Sequence, residues 1–165
     1  MSFKKFKIKE KVWSLRQDYQ ILDENDNLVY RTDGSKFSFK KKTVLFDSSD
    51  QEVIRIEKKL FTVRPTYLII KDGVPLYKIV KRFTLKPRII VESLTESDAF
   101  IVEGNLWGNE YRFVTEDEEF AFVSKDIWKL ADTYGIAMHP DSREEINIAV
   151  ILIIDMIKDE QEQAA

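Results

Sequence analysis

A single histidine, His139, is the most chemically versatile side chain in this sequence, and it stands directly before Pro140. An imidazole that titrates near neutrality can serve as a general base or a metal ligand. With one His and no Cys, however, the common tetrahedral zinc sets cannot be assembled, and thiolate nucleophiles and disulfides are excluded. A Ser-His-Asp arrangement would have to pass through His139, and no G-x-S-x-G turn is present to hold the serine. Glu116, Asp117, Glu118 and Glu119 offer the carboxylate pairs that acid–base catalysis uses, but four neighbouring acids in a turn are more simply solvated. Asp23, Asn25 and Asn27 alternate as in a calcium loop. Leu28 then occupies the place that needs glycine and Gly34 the place of the bidentate Glu, so a polar hairpin turn is the better reading. The five glycines form neither G-x-G-x-x-G nor a Walker loop. The sequence therefore predicts no enzyme: no catalytic residue, no metal and no cofactor.

What remains is charge. The net charge is only −3, but residues 1–90 hold 21 Lys and Arg against 11 Asp and Glu, whereas residues 91–165 hold 5 against 18. The cations gather in three places: Lys5, Lys7, Lys9 and Lys11 on one strand face, the run Lys40, Lys41 and Lys42, and the stretch containing Lys78, Lys81, Arg82, Lys86 and Arg88. Basic groups at an anionic membrane contribute about 1 kcal/mol each, so a patch of five could bind without a lipid anchor. The competing reading is that basic strands fold beside acidic ones and cancel. Trp13, Trp107 and Trp128 invite a nucleic-acid reading through base stacking, but a slightly acidic chain without a nucleic-acid motif makes buried aromatics the better reading.

The elements that must carry these groups are mostly strands. Phe6 and Ile8, Phe37 and Phe39, Tyr111 and Phe113, and Phe120 and Phe122 each alternate with other residues, the period of two that sends side chains to opposite faces. Turn signals punctuate these runs at Asp23 to Asn27, Asp47 to Asp50, Lys71-Asp72-Gly73, Gly104-Asn105, Gly108-Asn109 and Glu116 to Glu118. Such spacing predicts an antiparallel meander closed into a sandwich or barrel. The end of the chain differs. Asp141 after Pro140, with Glu144 three residues on, reads as a capping box, and ten of the twelve residues from Ile146 to Ile157 are apolar. Twelve residues at about 1.5 Å each fall far short of a membrane span of roughly 30 Å. A buried strand remains open, but the cap signals and length favour a helix that is buried on all sides. Asn147 and Asp155, about 80° apart on such a helix, would share its one polar side.

A closed sheet with a helix in its bore is also what a resemblance implies. The runs Tyr19-Gln20-Ile21-Leu22-Asp23-Glu24, Leu45-Phe46-Asp47, Glu52-Val53-Ile54-Arg55-Ile56, Tyr67-Leu68-Ile69-Ile70-Lys71-Asp72-Gly73 and Val102-Glu103-Gly104-Asn105, in this order and before an apolar C-terminal helix, resemble the LURP-one-related family. That family shares its fold with the tubby C-terminal domain and the phospholipid scramblases. The resemblance implies a twelve-stranded barrel around a central helix and no catalytic residues. Tubby relatives bind phosphoinositide headgroups, but their lysines do not map onto particular positions here. The cysteine-rich and proline-rich segments of scramblases are missing.

The expected architecture is thus mainly β: a closed antiparallel barrel of about twelve strands, tubby C-terminal-like, enclosing an apolar C-terminal α-helix. It forms one domain over residues 1–158 with a polar tail at 159–165. The expected function is a non-enzymatic binding or scaffold domain that recognises an anionic membrane surface or phosphorylated headgroups. Lys40, Lys41, Lys42, Lys78, Lys81 and Arg82 are the candidate contacts. The alternative is a protein–protein interaction module, homo- or hetero-oligomeric, with no lipid role. No nucleic-acid partner and no transmembrane span are expected. A cytoplasmic location, peripheral to a membrane, fits the absence of cysteine and of a secretory leader.

Overall fold

The computed structural model describes residues 2–11, 18–32, 42–82, 85–95, 98–128 and 133–164. Twelve strands follow in order: β1 (Lys4–Lys11), β2 (Asp18–Leu22), β3 (Leu28–Thr32), β4 (Lys42–Asp47), β5 (Glu52–Lys58), β6 (Thr66–Lys71), β7 (Val74–Arg82), β8 (Arg88–Ser93), β9 (Phe100–Asn105), β10 (Glu110–Val114), β11 (Glu119–Ser124) and β12 (Thr133–Met138). One helix, α1 (Glu144–Ala164), comes last among the described residues. Each strand pairs antiparallel with its sequence neighbour, and β1 pairs with β12, Phe6 opposite Ile136, to close the barrel. Closure leaves no strand edge to template association.

Two hairpins are fixed by the same device. The Asp23 carboxylate accepts the Asn25 and Asn27 amides at 2.8 and 2.9 Å, and the Asp47 carboxylate accepts those of Ser49 and Gln51 at 2.8 and 3.0 Å. Asp26 and Asp50 supply the left-handed residue in each turn. These backbone amides hold the Asp23 carboxyl below its ordinary range. At Asp72-Gly73 both residues have positive φ, the conformation a two-residue hairpin needs to match strand twist.

The inward face follows the period of two: Phe6 and Ile8, Ile54 and Ile56, Tyr77 and Ile79, Ile89 and Val91, and Tyr111 and Phe113 are buried against the helix. Eight strands close a bore that side chains alone can fill; twelve need a plug. The run Ile148 to Ile154 is buried without a break, so α1 is the core of the molecule. Its polar side lies along β12. Asn147 meets Met138, and Asp155 accepts the Tyr134 hydroxyl. Eight helical residues advance about 12 Å and four strand residues about 13 Å, so the two contacts stay in step along antiparallel axes.

Two details depart from expectation. The His139 carbonyl is taken by the Ser142 amide and hydroxyl at 3.0 and 2.7 Å, closing a turn ahead of the helix. The first helical bond therefore runs from the Asn147 amide to the Arg143 carbonyl, and Asp141 does not cap. At the other end the helix runs through residues 159–164, where a polar tail is expected, and Lys58 holds Glu160 there.

Candidate functional site

The barrel has two unlike ends. The head end holds the start of α1 with the turns at 23–27, 48–51, 72–73 and 115–118. The foot end holds the finish of α1 with the connections at 59–65, 85–87 and 106–109. Of the large apolar side chains exposed among the described residues, the three that are fully so all stand at the foot: Phe61 at 104%, Val63 at 101% and Leu85 at 106%. Leu60 and Trp107 beside them are half exposed.

These tips are braced from below. The Lys59 amide donates to the Thr66 carbonyl at 2.8 Å and the Thr66 hydroxyl to the Arg64 carbonyl at 2.9 Å, closing the loop that carries Phe61 and Val63. The Lys81 amide reaches the Pro65 carbonyl at 3.5 Å, tying that loop to the end of β7. The Lys81 ammonium lies 4.5 Å from the Trp107 ring centroid, and Lys158 of the helix donates to Asn109 at 2.7 Å, so the 106–109 turn is tied in as well.

Along the stretch of chain that bears the tips the charge is one-sided, although Glu160 of α1 pairs with Lys58 at its start. Residues 58–91 contain nine Lys and Arg and one acid, Asp72, which sits at the head end. Arg82 and Arg88 face each other across the β7–β8 register on the outer wall. Like charges directly opposite are destabilising, and the nearest relief is a long 3.9 Å pair between Arg88 and Glu103. Among the described residues, Lys59, Arg64 and Arg82 are exposed and form no ion pair.

The cations singled out from sequence fall in different settings. Lys40 and Lys41 lie outside the described residues. Lys42 pairs with Glu57 at 3.3 Å and Lys78 with Glu92 at 3.7 Å, each to an adjacent strand. Lys81 is on the inward parity of β7 and only 3% exposed, and burial lowers its pKa. Lys7 lies beneath Trp128, 4.4 Å from its ring centroid, and pairs with Asp26. Arg82 stands free on the surface, as does Lys5. Glu119 is engaged by Arg112 at 3.6 Å.

Residues 4–155 match the LURP-one-related family profile, which covers nearly all of the chain. The chain belongs to the LURP-one-related family. It is 25% identical over 151 residues, 91% of either chain, to the uncharacterised protein YxjI of Bacillus subtilis. A crystal structure of a protein from Arabidopsis thaliana shares the fold with a TM-score of 0.70 at 15% identity, over 95% of this chain and 92% of that one.

The interior of this LURP-one-related barrel is polar only in places. Near the foot, Tyr19, Tyr67, Tyr111 and Tyr134 are each the second residue of an even-numbered strand and point at α1. Burial, and then the Asp155 charge, raise the phenols of Tyr19, Tyr111 and Tyr134; burial and the Glu160 charge raise that of Tyr67. The Tyr111 hydroxyl is buried without a hydrogen-bond partner. At the head a cleft of ≈ 430 Å³ opens beside the helix start, lined in part by Tyr77, Phe100, Phe120, His139 and Arg143. Arg143 reaches the Tyr77 hydroxyl at 3.3 Å there, and His139 accepts the Asp141 amide at 3.3 Å. Among the described residues no three metal-ligating side chains cluster, and no helix is long and apolar enough to cross a membrane.

Proposed function

We propose that this domain is a non-enzymatic binding module that recognises an anionic membrane surface or phosphorylated headgroups through the basic wall of β6, β7 and β8 and its foot-end loops. The observation that supports it is the opposition of Arg82 and Arg88 on the outer wall, with Lys59 and Arg64 unpaired in the neighbouring loop. A fold gains nothing from two guanidinium groups facing each other in water. An external anion turns that repulsion into a chelating pair of charge-assisted hydrogen bonds.

The test is co-sedimentation with anionic and neutral vesicles at low and high salt, with Arg82→Glu/Arg88→Glu as the variant. At about 1 kcal/mol per cation, loss of two charges and gain of two opposite ones should weaken binding to anionic vesicles by roughly thirtyfold or more. Salt should weaken the wild type in the same direction. Competition by inorganic phosphate at constant ionic strength separates a phosphate-specific contact from general attraction to the surface. Equal binding to neutral vesicles, or a variant that binds as well as the wild type, would remove the assignment.

A further inference from the structure

We infer that the foot end does more than rest on an anionic surface: Phe61, Val63 and Leu85 enter the bilayer, and the barrel stands with its helix axis steeply inclined to the membrane. The inference rests on the anionic-surface reading and deepens it.

Three observations carry it. First, Phe61 holds a φ of 59°. A bulky L-residue in the left-handed region is strained, and strain of this kind persists where function has a use for it. Here the strained backbone returns no packing, because the ring it carries is wholly in solvent. Second, the three exposed tips stand at two places that flank the β6–β7 pair, residues 59–65 and residues 85–87. With neighbouring strands about 4.8 Å apart, the two rise roughly 10 Å from one another. Separate protruding tips do not make the continuous flat patch that a protein partner would cover; they suit a fluid phase that closes around each. Third, the charge on the two tip-bearing segments is complementary to a lipid surface, Glu160 of α1, an acid held against them, being neutralised by Lys58. Lys59 and Arg64 bracket one loop and Lys86 and Arg88 follow the other tip, and no acid lies in 58–71 or 73–91. Trp107, half exposed over Lys81, sits at the base of the tips, where an aromatic ring belongs at a headgroup boundary. Cations at the phosphate level with apolar tips just beyond them match interfacial insertion to a depth of roughly 5–10 Å.

The chain has no cysteine, so single-site labelling is unambiguous. Val63→Cys and, as a head-end reference, Ser49→Cys are labelled with an environment-sensitive fluorophore and mixed with phosphatidylcholine vesicles containing phosphatidylserine, with and without a lipid-borne quencher. The label at 63 should blue-shift and be quenched, and the label at 49 should not respond. Phe61→Gly with Leu85→Ser should lower the vesicle partition coefficient about a hundredfold, near tenfold per tip. The thermal midpoint should stay level or rise, because glycine accepts the left-handed backbone. If the wild type binds these vesicles while the label at 63 stays in water, insertion fails and surface recognition stands. If the wild type binds no vesicles, both fail. If the double substitution instead dissolves a dimer seen in gel filtration, the tips belong to a second copy of the chain and the inference is overturned.

Discussion

Raising the pH from about 9 to about 11 tests the barrel interior directly, because that range spans the ordinary titration of tyrosine. Tyr19, Tyr30, Tyr67, Tyr111 and Tyr134 are all buried, and in each case burial is the largest influence holding the phenol above its usual 10.0. Below that value the folded and unfolded chains both keep these protons, and the contribution to stability is complete. Above it the unfolded chain releases protons that the folded chain retains, so stability falls as pH rises toward the folded values. Each group costs about 1.4 kcal/mol per pH unit in that window. Five groups, one unit above the unfolded value, cost about 7 kcal/mol, against a total stability of roughly 5–15 kcal/mol for an ordinary domain. The protein should therefore unfold cooperatively within one to two units above about pH 10. The assay is far-UV circular dichroism recorded with tyrosinate absorbance on one sample, with urea midpoints at each pH. Most of the absorbance should appear together with the loss of ellipticity. Phenols that ionise near 10 in a chain that keeps its ellipticity would refute the reasoning.

Two further perturbations probe the same interior. Tyr111→Phe removes a buried hydroxyl that has no partner, so it should be neutral or stabilise by up to about 1 kcal/mol, whereas Tyr134→Phe takes a donor from buried Asp155 and should cost about 1.5–3 kcal/mol; equal urea midpoints for the two variants would contradict this. Ile151→Asp and, separately, Ile153→Asp place an unpaired charge where exposure is zero and should abolish the cooperative transition. A native-like melting curve for both would mean that the helix is not the core.

The barrel was largely legible because its determinants are local. Alternation marks which face of a strand turns inward, and a helix with apolar residues on every side has only one place to go. The turns at Asp23 to Asn27 and Asp47 to Asp50 announce themselves because the same aspartates that interrupt the strands accept the turn amides. The true start of α1 was not legible: Ser142 takes the His139 carbonyl, which depends on where β12 delivers the chain. The fate of the cations was hidden for a related reason. Lys42 meets Glu57 and Lys78 meets Glu92 through strand register, which composition does not encode. Lys81 turns inward through the parity of β7. The foot-end tips were hidden most completely. Phe61 and Val63 alternate with Thr62 just as the residues of a buried strand do, and only the flanking Lys58-Lys59 and Arg64-Pro65 hint that the run lies outside the sheet.

The core of this protein is made only after every strand that surrounds it. β1 closes against β12, and the plug that fills the bore begins only at Glu144. At about 5–20 residues per second, the ribosome takes on the order of ten seconds to pass from the end of β1 to the start of α1. During that interval the nascent chain has hairpins whose inner faces have nothing to pack on. Contacts of such long sequence separation also form slowly. The barrel therefore completes its packing only once α1 has been made, around a helix that arrives when all its partners are waiting. A ribosome stalled before Glu144 would carry a sticky, unclosed sheet, a natural client for chaperones that bind chains during translation.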